Sequence, residues 1–147
     1  VLLVMFFWDE APGLFDVRAA AREHVTSNDD AAITGVVTTA TLIQAAETLL
    51  DKRGGYLSND RLPPGVLMDN IPNWEFGVLT QVRDVSRAYR IDFSRSQSQS
   101  TEDSDLSIAE GKFFFDNSSW AFPPSEREYR DGIRLFESYL ARLSEDR

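Results

Sequence analysis

Asp69 and Glu75 are the residues whose type and spacing come nearest to chemistry in this chain. They flank Asn70-Ile71-Pro72-Asn73-Trp74, and two carboxyl groups beside an aromatic platform are the equipment with which glycosidases cleave a glycosidic bond. In that reading Trp74 stacks on a sugar, and the free N–H groups and positive dipole end of a helix starting near Asn73 receive an anion or a hydroxyl. The same residues also have a purely structural reading. Asn73 caps the helix, Glu75 lies in its first turn where the dipole favours negative charge, and Trp74 begins an apolar stripe. Asp69, Asn73, Trp74 and Glu75 are therefore binding candidates, and no residue is assigned a catalytic role.

A second set is cationic. Arg83, Arg87, Arg90 and Arg95 recur at helical spacing and could hold a phosphate or an acidic partner, with Arg83 and Arg87 the binding candidates. Asp84 and Asp92 lie among them, so a solvated, locally paired face is the competing reading. The tract Ser94 to Ser100 reads as a polar linker, or as a segment whose phosphorylation would give Arg95 a partner. His24 is the only histidine and there is no cysteine, so a metal site would need carboxylates such as Asp29 or Asp30 at no fixed spacing. Neither a metal nor a cofactor is expected. No nucleophile elbow, phosphate loop or dinucleotide fingerprint is present, and Arg53-Gly54-Gly55 lacks the Lys-Ser/Thr that would make it more than a helix cap.

The whole chain bounds these options. Its 147 residues carry a net charge of -9, which repels phosphate backbones and argues against a nucleic-acid partner. It also offers anionic headgroups no attraction, so contact with a bilayer falls to the N-terminus. There the run Val1-Leu2-Leu3-Val4-Met5-Phe6-Phe7-Trp8 is wholly apolar and gives way at once to Asp9 and Glu10. Spanning a bilayer takes about 20 such residues. Residues 1–8 therefore read as the C-terminal end of a truncated transmembrane helix with Trp8 at the interface, and a buried strand is the alternative. The acidic flank favours the non-cytoplasmic side for the remainder, a single helical domain over residues 15–147.

The elements that must position the candidates are helical. Residues 15–24 form a short Ala-rich helix capped by Asp16, and residues 37–52 a second one, stopped by Gly54-Gly55 with Lys52 and Arg53 at its negative end. Ile33 to Thr39 is the one place where a strand competes. Residues 56–73 carry Pro63-Pro64-Gly65 and Ile71-Pro72-Asn73 and no sustained period, which predicts a long loop packed through its apolar residues. A helix then places Trp74, Val78, Val82, Val85, Tyr89 and Phe93 on one stripe. A short helix covers residues 103–110. The last begins at a capping box of Ser125 and Glu128 and buries Tyr129, Ile133, Phe136, Leu140 and Leu143. Four to five helices with long ordered loops make an all-α domain.

The phrases Phe15-Asp16-Val17, Thr39-Ala40-Thr41-Leu42-Ile43, Leu50 to Asp60, Asp69 to Gly77 and Phe93 to Ser100 resemble the uncharacterised bacterial domain of unknown function 2333 family over nearly the whole chain. The resemblance implies an N-terminal membrane anchor followed by a mostly helical domain in Gram-negative bacteria, with further helical sequence beyond residue 147. It implies no activity. The expectation is a membrane-tethered structural or protein-interaction domain of the cell envelope, held at the bacterial inner membrane and facing the periplasm, with an envelope protein as partner. The alternatives are an envelope glycan hydrolase using Asp69 and Glu75, and an envelope lipid-binding protein.

Overall fold

A computed structural model describes residues 2–24, 35–93 and 102–145. Among them the chain is all-α, with six α-helices and no strand. These are α1 (Leu2–Trp8), α2 (Val17–Glu23), α3 (Val36–Asp51), α4 (Asn70–Ala88), α5 (Ser104–Phe113) and α6 (Ser125–Glu145). A 3-10 turn (Gly65–Leu67) interrupts the loop before α4, and a π-helical turn (Tyr89–Phe93) extends α4. The tract Ser94 to Ser100 with Arg95, the polar stretch Thr26 to Asp30, and Ile33 lie outside the described residues.

Local chemistry explains where several helices start. Asp16 caps α2 by accepting from the Arg18 and Ala19 N–H groups at 2.8 and 2.9 Å, and Asp103 caps α5 by accepting from Asp105 and Leu106. Each carboxylate satisfies donors that have no intrahelical partner. α3 stops where Gly54 and Gly55 adopt left-handed φ values of 84° and 74°, and the β-branched residues from Val36 onward are helical.

Two starts differ from the sequence expectation. α4 begins at Asn70, before Asn73, with Pro72 inside its first turn. Proline is tolerated there because the first N–H groups of a helix have no intrahelical acceptor. The cap comes from outside: the Asp9 carboxylate at the end of α1 accepts from the Ile71 N–H at 3.3 Å and from the Asn70 amide at 2.9 Å. At α6 no capping box forms. The buried Ser125 hydroxyl donates to the Asp116 and Ser119 carbonyls, at 2.6 and 2.9 Å, and Glu128 pairs with Lys112.

α5 packs on α6, α6 on α3, α3 on α2 and α4, and α4 on α5. Their shared core holds Ile43, Leu49, Leu79, Phe113, Tyr129 and Phe136. Tyr89 meets Phe136 edge to face at 5.5 Å, and Tyr56 meets Tyr129 likewise at 5.7 Å, the geometry that aromatic quadrupoles favour. The α6 stripe is buried as its spacing predicts, with Leu143 half-buried against the core. The α4 stripe is rotated by about one position. Its buried residues are Ile71, Glu75, Leu79, Val82 and Ser86, while Trp74, Val78 and Val85 flank them half-buried.

α1 stands apart from this core. None of its residues is buried, and Met5 and Trp8 rest on a second, smaller cluster of Leu57, Met68 and Ile71. Among the described residues no helix is long and apolar enough to cross a membrane.

Candidate functional site

The loop between α3 and α4 gathers the polar chemistry of the molecule, and Glu75 is what holds it. Glu75 is completely buried. Its carboxylate accepts from the Lys52 ammonium, from the Leu57 and Ser58 N–H groups at 2.9 and 2.8 Å, and from the Ser58 hydroxyl. Lys52 is buried as well, and its Nζ also donates to the Leu49 and Gly55 carbonyls at the end of α3. One ion pair therefore closes the C-terminus of α3, fixes the first residues of the loop and ties both to the first turns of α4. Burial pulls the Lys52 pKa below the usual lysine range, and Glu75 opposes that pull. A pair this enclosed survives because every oxygen and nitrogen of it is hydrogen-bonded.

Just beyond, the loop opens onto a cleft of about 590 Å³ whose lining includes Trp8, Asn59, Asp60, Arg61, Trp120 and Glu126. Each wall has a local cause. Trp8 lies flat on Gly54, where a Cβ would come within 2.8 Å of the indole. Asn59 is buried and donates its amide to the Ser119 carbonyl at 2.8 Å and to Glu126 Oε2 at 2.7 Å, tying the loop to the start of α6. Asp60 is half-buried under Gly65, where a Cβ would stand 2.1 Å from its Oδ2. Trp120 is 64% exposed.

The electrostatics single out Asp60. Its carboxylate accepts no hydrogen bond from any described residue, while the backbone N–H of the same residue is satisfied by the Leu57 carbonyl. Burial, then the fields of Glu126 and Glu75, push its pKa above the usual carboxylate range, with Lys52 acting in the opposite sense. A desolvated carboxyl group beside like charges in a cleft is a candidate for a functional site. Arg61 also carries no hydrogen bond or ion pair to a described residue; its field, with that of Arg83, reaches Asp116.

The candidates from the sequence are dispersed. Glu75 is sealed inside the ion pair, whereas Asp69 is exposed on the rim of a separate groove that also borders Asp9 and Glu10. A hydrolytic pair needs both carboxyl groups on one open cleft, so Asp69 and Glu75 do not act together. Asn73 is exposed within α4, its capping role taken by Asp9. Trp74 is half-buried between the two apolar clusters. Arg83 spends its guanidinium on the Phe113 and Phe115 carbonyls at 2.7 and 2.8 Å. Arg87 pairs with Glu110 at 3.1 Å and lies 4.5 Å over the Phe114 ring. Both arginines thus clamp α5 to α4. His24 ends α2 and faces Glu47 at 3.8 Å, and among the described residues no group of His, Asp and Glu could hold a metal ion. The cleft residues Asn59, Asp60 and Glu126 escaped the sequence reading because they come from two segments joined only through the fold.

A helical body, a loop fastened by a buried ion pair and an open cleft at that loop define an all-α domain without a recognisable catalytic set among its described residues. The chain belongs to the family of uncharacterized proteins conserved in bacteria, DUF2333, whose model matches residues 1–147. No curated protein and no solved structure matches it.

Proposed function

We propose that this chain is a membrane-tethered structural or protein-interaction domain of the bacterial cell envelope, held at the inner membrane through α1 with its body in the periplasm. The observation that carries the reading is the partition of α1. Met5 and Trp8 turn to the body, while Leu2, Leu3, Phe6 and Phe7 are between 56% and 82% exposed. Leu62, Val66 and Leu67 of the neighbouring loop are exposed too. An apolar surface of this kind is costly in water and is relieved by a bilayer interface. Asp9 joins the tether to the body, since its carboxylate caps α4.

Fractionation of the full-length protein in its bacterium tests the proposal. A tethered protein stays in the membrane pellet after an alkaline carbonate wash, and protease added to spheroplasts degrades the domain. Release into the supernatant would overturn the tether, and protection in intact spheroplasts would overturn the periplasmic orientation.

A further inference from the structure

We infer that the cleft between Trp8 and Trp120 is a saccharide-binding site. Its lining combines features that exclude other ligands in turn. Asp60 and Glu126 repel phosphates and carboxylates. Arg61 on the same wall counts against a simple cation, which would meet a positive charge beside the carboxylates. The charged lining would be stranded by a purely apolar guest. The lining also holds Leu62, Pro63 and Pro64, and a neutral polyhydroxylated ligand fits both parts, with hydroxyls for the charges and C–H faces for the apolar wall. Its hydroxyls donate to the Asp60 carboxylate and to Glu126 Oε1, which accept nothing from described residues, and they accept from the Arg61 guanidinium. Hydrogen bonds of this type, with one ionised partner, are roughly twice as strong as neutral ones. The C–H faces of a sugar ring pack on indole. Trp120 offers one 64% exposed, and Trp8 offers another, fixed by Gly54 below it and by the Leu57, Met68 and Ile71 cluster beside it.

Glu75 and Lys52 are positioning residues in this scheme. Their ion pair holds the Leu57 and Ser58 backbone, and the next two residues are Asn59 and Asp60. Trp8 of α1 and Leu62 serve both readings, but saccharide binding is read at the cleft and the tether by fractionation, so failure of one measurement is distinguishable from failure of the other.

Nuclear magnetic resonance titration of the full chain with maltotriose, cellotriose and chitotriose provides the test, with ethylammonium and inorganic phosphate as parallel probes. At least one trisaccharide should shift the Trp8 and Trp120 indole N–H signals and the Asn59 side-chain amide saturably. Trp120→Ala and Asp60→Asn should each weaken that binding at least about fivefold. Neither variant removes an internal hydrogen bond, and Asp60→Asn relieves repulsion, so its urea midpoint should equal or exceed that of the parent. The inference is overturned if none of the trisaccharides shifts these signals by about 10 mM, if the variants bind as well as the parent, or if ethylammonium or phosphate saturates the same signals instead.

Discussion

Lys52 and Glu75 show how one pair of residues can organise a loop. Both are buried, and removing one partner of such a pair leaves an uncompensated charge, at a cost of about 3–5 kcal/mol. Lys52→Met should therefore destabilise the fold by about that amount, because Glu75 would keep only neutral donors. Adding Glu75→Gln to Lys52→Met should restore part of the loss, since the amide oxygen can take the place of Oε2 and still accept from Ser58 while the buried charge is gone. Urea unfolding of the two single variants and the double variant checks this, and strict additivity would refute the coupling. Part of the arrangement is written in the sequence. Glu75 falls with Leu79, Val82 and Ser86 on one face of α4, but its acidic character points to an exposed first turn. Its partner is 23 residues upstream, a distance at which helical spacing carries no information.

At the scale of elements, helices with strong local signals are legible and those that borrow from elsewhere are not. Asp16 and Asp103 cap their own helices, and the stripe of α6 follows its period. The start of α4 depends on Asp9, 62 residues before Ile71, and Ser125 binds two carbonyls of the preceding turn. Both are tertiary contacts that a local capping rule cannot anticipate. The arginine row on α4 has the spacing of a binding surface, yet Arg83 and Arg87 serve α5. Arg83→Met would leave the Phe113 and Phe115 carbonyls without this donor, and hydrogen bonds to a charged group contribute about 1.5–3 kcal/mol. Arg87→Met removes a half-exposed ion pair and a cation–π contact, each of about 0.5–1 kcal/mol. Denaturant midpoints should rank Arg83→Met below Arg87→Met, with faster hydrogen exchange at the C-terminal turn of α5 in the former. Equal losses would mean that Arg83 is not the clamp.

The molecule as a whole is built around its tyrosines, and this fixes how it responds to alkali. All-α architecture and the aromatic stripes are legible in sequence because helix period and capping are local. That the four tyrosines converge on one core depends on the packing of α3, α4 and α6. Tyr56, Tyr89 and Tyr129 are buried, their hydroxyls bonded to the Asn117 carbonyl, Thr39 and the Phe115 carbonyl. Burial pushes all four phenols upward, Tyr139 to about 12. An acid whose pKa is raised on folding binds more protons in the native state between its unfolded and folded values, so stability falls as pH rises through that window. For each buried phenol the slope is about 1.4 kcal/mol per pH unit once pH exceeds about 10. Lys52 acts in the other direction, because its lowered pKa adds stability as pH climbs toward 10.5. That gain ends where the tyrosine loss begins. The chain should therefore unfold cooperatively between about pH 10.5 and 12, with phenolate absorbance at 295 nm rising together with loss of far-ultraviolet circular dichroism. Tyrosines that titrate near pH 10 while helicity is intact would show that the phenols are not held in the core as described.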